Sequence, residues 1–162
     1  MLTLLMSTLT LIRELLTDNG VTFVEMEHEP TLTSEQAAQT RGVNLEIGGK
    51  ALLIKTDDIF RLFVLSAASQ LDSRAIRISL GSRRTRFATP EELKRLTGLV
   101  PGSVPPFGRP ILPFDLYVDP SIEKNEEIAF NAGSLTHSIL MSVGDYLRIA
   151  KPEIIDFSKR KK

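Results

Sequence analysis

"KALLIKTDDIFRLFVLSA", residues 50–67, sets the architecture. Two dense apolar runs, "KALLIK" and "FRLFVLSA", flank the connection "TDDI". Their lengths suit strands, and the short connection between them predicts an antiparallel pair. Runs this apolar, with little polar alternation, are covered on both faces. In a strand Lys50, Leu52 and Ile54 share one face, so the ammonium of Lys50 heads an otherwise apolar row. One reading is a strand-end lysine that snorkels to water. The other is a cation at a pocket mouth, ready to hold a phosphate or polarise a carbonyl. Spacing alone leaves both open.

Outward from this pair, short helices and strands interleave without regular alternation. On the N-terminal side, Leu5, Leu9, Ile12 and Leu16 recur at helical spacing, and "TDNG" stops that helix. "VTFVEME" alternates as a strand up to Pro30, and "TSEQAAQTRG" predicts a short helix capped by Ser34 and closed by Gly42. On the C-terminal side, "LDSRAIRISLG" suits a helix capped by Asp72 or Ser73. "TPEELKRLTG" suits another, with Thr89 as cap, Pro90 at the first position and Gly98 past the end. "FDLYVD", "EIAFNAG" and "HSILMS" are strand candidates, "VGDYLRIA" a last helix, and "SKRKK", residues 158–162, a disordered basic tail. The pattern predicts an α+β fold, a mixed sheet flanked by short helices, in one domain over residues 1–162.

Composition narrows the function. Twenty basic and twenty acidic residues cancel, so nucleic acid is drawn in only by a local patch. The absence of cysteine removes disulfides, thiolate metal sites and cysteine nucleophiles together. The leucine-rich N-terminus lacks a basic leader and runs into Arg13 and Glu14, and no stretch reaches membrane-spanning length. The expectation is a cytoplasmic protein with no membrane partner. "GVNLEIGGKA" fails as a phosphate-binding loop, because Gly42 is too far from Gly49-Lys50 and Ala51 lacks the hydroxyl that would hold magnesium. With two histidines and no hydrolase signature, neither a metal nor a cofactor is expected, and an enzyme here works by positioning.

Three further features stand out. Five of nine prolines fall between Pro101 and Pro113, around "GSVPPFG", residues 102–108. That composition rejects helix and central strand and commits the chain to a rigid loop with bare backbone at its glycines. Asn131-Ala132-Gly133 predicts a turn where the backbone approaches something closely. His137 opens the strand after it, and His28 suits a solvated or capping role. Arg74, Arg77, Arg83, Arg84 and Arg86 face a single acid, Asp72, between Leu71 and Arg86. Such a cluster is either a solvated face or a set of phosphate contacts.

Taken in order, "GGKALLIK", "LDSRAIRISLG…RFATPEEL", "TGLVPGSVPPFG" and "FNAG…SILMS" resemble the YbaK and prolyl-tRNA synthetase editing-domain family over roughly residues 21–146. The resemblance implies a mixed, partly closed sheet flanked by helices. It implies trans-editing: hydrolysis of the ester of mischarged tRNA, chiefly tRNA(Pro) carrying alanine, cysteine or serine. The partner is then the 3′ acceptor end of aminoacyl-tRNA, with docking to a synthetase left open. Gly102, first residue of a GxxxP element, would orient water through its carbonyl, and Lys50 would hold the terminal adenosine near its phosphate or ester. Ser103, Val104, Pro105, Pro106, Phe107 and Gly108 would wall the substrate site. Asn131, Ala132 and Gly133 would contact the substrate, His137 would line the amino-acid pocket, and the five arginines would meet tRNA phosphates. A non-catalytic module of the same fold, binding aminoacyl-tRNA or an adenine nucleotide, is the alternative.

Overall fold

The expected hairpin forms the centre of the molecule. A computed structural model describes residues 6–161; Leu5 and Lys162 lie outside the described residues. Strand β2 (Gly49–Thr56) pairs antiparallel with β3 (Ile59–Ser66), Lys50 opposite Leu65 and Leu53 opposite Leu62. Both faces of β3 are covered. Leu62 and Val64 enter one apolar core, and Phe63 and Leu65 the other. All four are wholly buried, worth about 1.5–3 kcal/mol each relative to exposure.

The other elements extend this pair or close it. Helix α1 (Thr8–Asp18) precedes β1 (Phe23–Glu27), and α2 (Ser34–Arg41) leads through a 3-10 turn at Leu45–Ile47 into β2. After β3 come β4 (Ser69–Leu71), α3 (Ser73–Leu80), β5 (Thr85–Phe87), α4 (Pro90–Thr97), β6 (Leu116–Val118) and α5 (Pro120–Glu123). The chain ends with β7 (Glu127–Asn131), β8 (His137–Ser142), α6 (Val143–Ala150), β9 (Glu153–Ile154) and β10 (Ser158–Arg160). One sheet has the order β5-β2-β3-β6-β9, antiparallel on one side of β3 and parallel on the other. A second, β1-β8-β7, is antiparallel throughout. Among the described residues, a bridge between Gly48 and Ala129 joins them, which brings the head of β2 beside β7. The fold is the expected α+β arrangement around a mixed sheet.

Local chemistry explains the helix ends. Thr89 accepts from the Glu92 amide while Glu92 accepts from the Thr89 amide, a reciprocal capping box, with Pro90 first in α4. Asp72 caps α3. For α2 the cap is Thr33 instead of Ser34, because Thr33 is still extended and accepts from the Gln36 amide at 3.1 Å.

The basic tail is a correction. Ser158–Arg160 is a strand paired antiparallel with β4, through Ser158 opposite Leu71 and Arg160 opposite Ser69. The buried carboxylate of Asp119 anchors it, accepting from the Phe157 amide at 2.7 Å and the Ser158 hydroxyl at 2.7 Å. Phe157 fills the second core edge-on to Phe63. The composition "SKRKK" hides this, because the anchor lies 39 residues upstream of Ser158.

Candidate functional site

A cleft of about 360 Å³ opens where α2, the head of β2, the turn after α4 and the end of β7 meet. Lys50, Gly102, Val104 and Asn131 all line it, with Arg41 and Leu135. A wider groove of about 750 Å³ shares no lining residue with it and holds none of Lys50, Gly102 and Asn131. The smaller cleft is therefore the candidate site.

Lys50 sits half-buried at the end of the row formed by Leu52 and Ile54, which pack on the second core. Burial pushes its ammonium below the ordinary lysine range; the nearby charge of Lys161 adds to this and Glu35 opposes it. Among the described residues it has no ion-pair partner. Strand β10 is what brings Lys161 there, 3.8 Å from Glu35 on α2.

Gly102 lies in a turn closed by the Ser103 amide donating to the Val100 carbonyl at 3.1 Å. Pro101 takes the second position and Gly102 the third, at φ +87°, the arrangement of a type II turn. That backbone is left-handed, so a side chain there is strained. The Gly102 carbonyl accepts from Asn131 Nδ2 at 2.7 Å. Behind it, the Ser103 carbonyl accepts from the Gly133 amide at 2.9 Å. Two bonds thus clasp the turn to the β7–β8 connection, and among the described residues no donor besides Asn131 meets the Gly102 carbonyl.

The rest of the proline loop supports the cleft from behind. Ser103 is buried, and its hydroxyl is spent on the Val100 carbonyl at 2.8 Å. Pro105, Pro106 and Phe107 lie in the interior, off the cleft: Phe107 packs edge-on to Phe130 and Tyr146, and the Pro106 carbonyl accepts from the Tyr146 hydroxyl at 2.6 Å. Gly108 lines the other groove. The expectation of a continuous substrate wall from Ser103 to Gly108 thus reduces to Val104: the whole stretch is buried, and its apolar side chains are taken up by the core.

Ala132 is wholly buried, and Gly133 packs closely on α1: a Cβ there would come within 2.8 Å of the Thr8 side chain. Neither lines the cleft. His137 does not line it either; its Nδ1 lies 3.0 Å from the Ser134 hydroxyl and 3.1 Å from that of Thr136. The arginines divide. Arg86 is paired with Glu92 at 2.7 Å, and Arg77 donates to the Thr85 hydroxyl at 3.1 Å. Arg83 and Arg84 are exposed, with both backbone amides held by one oxygen of Asp57, and Arg74 is exposed on α3.

Sequence reading missed Arg41. A last-turn arginine before a capping glycine looks like an ordinary dipole partner. From the C-terminal end of α2, Arg41 reaches β7 and β8, donating from Nη2 to Asn131 Oδ1 at 2.9 Å and from Nε to the Ser138 hydroxyl at 2.9 Å. His28 reaches the same hydroxyl at 2.7 Å. The rim residues Thr31 to Ser34 were missed for the same reason: only tertiary packing brings them over β2. Among the described residues, no group of three or more acidic or histidine side chains is placed to hold a metal ion.

A sequence model described as the aminoacyl-tRNA editing domain matches residues 28–149. The chain belongs to this family. It is 38% identical over 151 residues to the multifunctional Ser/Thr-tRNA deacylase ProXp-y of Escherichia coli (strain K12), covering 90% of this chain and 89% of that one. It is 33% identical over 100 residues to the proline–tRNA ligase of Shouchella clausii, which spans 62% of this chain but 17% of the ligase. Among solved structures, a putative trans-editing enzyme for prolyl tRNA synthetase superimposes with a TM-score of 0.80 at 25% identity, covering 96% of this chain and 99% of that one. This editing-domain family is the one that the lysine strand and the GxxxP loop resemble.

Proposed function

We propose that this editing-family deacylase hydrolyses, in trans, the 3′ ester of tRNA mischarged with a small amino acid, serine and threonine foremost. The observation that carries the reading is the convergence of Lys50, the Gly102 carbonyl and Asn131 on one cleft. Ester hydrolysis needs an oriented water and a cation for the substrate's phosphate or developing oxyanion. The free lone pair of Gly102 accepts from the water, and the turn fixes its direction. Lys50, half-buried and without an ion-pair partner among the described residues, gains one when substrate arrives.

Support for serine and threonine comes from two sides. The 38% identical relative is named a Ser/Thr-tRNA deacylase, and the cleft rim carries the hydroxyls of Thr31, Thr33 and Ser34. The likeness to proline–tRNA ligase and to a trans-editing enzyme supports tRNA(Pro) among the carriers and favours the catalytic over the binding-only reading. Arg83, Arg84 and Arg74 are the proposed phosphate contacts along the acceptor stem.

The test is a deacylation panel with EDTA present: tRNA(Pro) charged with alanine, serine, threonine, cysteine or proline, beside cognate Ser- and Thr-tRNA. Release from at least one non-cognate ester, with Pro-tRNA(Pro) spared, is expected. Binding without release from any member would leave a recognition module.

A further inference from the structure

We propose that Arg41 is a positioning residue of the site, the group that sets which way the Asn131 amide faces and thereby holds the Gly102 carbonyl. This rests on the reading of Gly102 as the carbonyl that orients water.

The protons available around Asn131 decide which way its amide faces. A side-chain amide has one accepting end and one donating end, and its shape does not tell them apart. Asn131 Nδ2 donates to Gly102 only if Oδ1 faces a donor on the opposite side. Two donors are within reach: Arg41 Nη2 at 2.9 Å and the Ser138 hydroxyl at 3.3 Å. The hydroxyl has one proton and two claimants. His28 Nδ1 lies 2.8 Å from the Glu29 carbonyl, which only accepts, so the ring donates there. In the neutral ring Nε2 then accepts from Ser138 at 2.7 Å, the shorter of the hydroxyl's two contacts. Ser138 spends its proton on His28 and accepts from Arg41 Nε. Arg41 is left as the donor to Asn131.

Reversing the amide would set its NH₂ against the guanidinium and its oxygen against the Gly102 carbonyl. Both contacts would be repulsive. At neutral pH the guanidinium is charged and carries a planar fork, so it holds Ser138 and Asn131 together; a lysine ammonium in the same space has no such fork. The position is costly to maintain. Burial holds the Arg41 pKa down at about 10, and among the described residues no acid pairs with it. A surface arginine would serve the helix end without that penalty.

The test combines single-turnover deacylation, thermal melts and ¹⁵N-resolved exchange of the Asn131 side-chain amide, assigned by its disappearance in Asn131→Asp. Arg41→Lys and Arg41→Gln should lower the single-turnover rate on the order of 10- to 100-fold, the scale for a misplaced reacting group. The half-saturating tRNA concentration should stay within about twofold, because the loss falls on the transition state. In the same variants the Asn131 amide should lose its exchange protection. Asn131→Asp guards against a folding artefact: it keeps a partner for Arg41, so its melting point should hold or rise, while its carboxylate opposes the Gly102 carbonyl and the rate still falls. Retained amide protection without Arg41, or a wild-type rate in Asn131→Asp, would overturn the proposal. Should wild-type protein fail the whole deacylation panel, the proposed function falls, and amide exchange still decides whether Arg41 sets Asn131.

Discussion

Asn131 Nδ2 donates to the carbonyl of Gly102 at 2.7 Å, joining the end of β7 to the turn after α4 across 29 residues of sequence. The bond makes the direction of that carbonyl a property of two elements instead of one loop. Gly102→Ala keeps the turn but forces a side chain into left-handed backbone at φ +87°. The cost is about 1–2 kcal/mol, or a fall of roughly 2–8 °C in melting point. A Cβ there would meet only Leu135 at 3.4 Å, so the variant should fold. Its single-turnover rate should fall more than tenfold, on the order expected for a displaced reacting group. Pro106→Ala, whose site is in the core away from the cleft, should lower stability and keep the rate per folded molecule. Equal activity losses in both variants would make the loop structural only.

The arginine segment makes a different prediction, because its members are not equivalent. Reversing Arg83 and Arg84 to Glu leaves their backbone bonds to Asp57 in place and changes only exposed charge. KM for aminoacyl-tRNA should rise with kcat nearly constant, since distant phosphate contacts are made equally in ground and transition states. The dependence of binding on salt should become shallower as well. Arg86→Glu should behave otherwise: it opposes Glu92 in the capping box and should cost stability of α4. An unchanged KM for the double variant would return Arg83 and Arg84 to a solvated face.

Much of this was legible in the residues, and the divide has a physical basis. The β2–β3 pair, the Thr89 cap and the rigid loop at Gly102 depend on neighbours within a few positions, where propensity and spacing act. Lys50 and Gly102 were legible because each breaks a local rule: a charge heading an apolar row, a glycine among prolines. Arg41 breaks none. Its partners Asn131 and Ser138 are 90 and 97 residues away, and no pattern along the chain records them. The proline loop erred in the opposite direction, since a rigid apolar segment serves a core as well as a cleft. Phe107 and Pro106 went to the core.

Asp119 offers a test of the C-terminal strand. Burial alone would raise its carboxyl pKa, but hydrogen bonds from Ser121, the Phe157 amide and Ser158 outweigh that and hold it below the ordinary range. A depressed carboxyl stabilises the fold at pH above its unfolded value of about 3.9, and the contribution is lost as pH falls through the folded value. Asp119→Asn replaces an oxygen that accepts with an NH₂ that opposes the donors. Leaving such buried donors unmatched costs about 1–3 kcal/mol. Amide exchange should accelerate first in Ser158–Arg160 and β4, and the gap to wild type should narrow below pH 4. Uniform acceleration across all strands would mean that Asp119 serves the whole fold.

Lys50 is the most exposed prediction, because it asks stability and activity to move in opposite directions. Its ammonium is half-buried, below the ordinary lysine range because of desolvation, with Lys161 adding to the effect. A base whose folded pKa is depressed carries a folding cost at neutral pH, and that cost fades as pH rises from the folded value toward about 10.4, the unfolded one. Lys50→Met removes the cost and keeps the stem, so it should melt at or above wild type at pH 7, by a margin that shrinks at alkaline pH. Its kcat/KM should fall on the order of 100-fold, the scale of one lost charged contact in a closed site. Lys50→Arg should rescue only in part, since the planar fork is wider than the ammonium it replaces. The wild-type pH profile supplies an independent check. After subtraction of spontaneous hydrolysis, kcat/KM reports the free enzyme and should decline at a pH below that of an ordinary lysine. The decline in kcat should come later, because bound substrate supplies the anion that free Lys50 lacks and restores its proton affinity. A variant that melts early and loses activity in proportion would make Lys50 structural, and coincident alkaline limbs would mean that it never meets the substrate's charge.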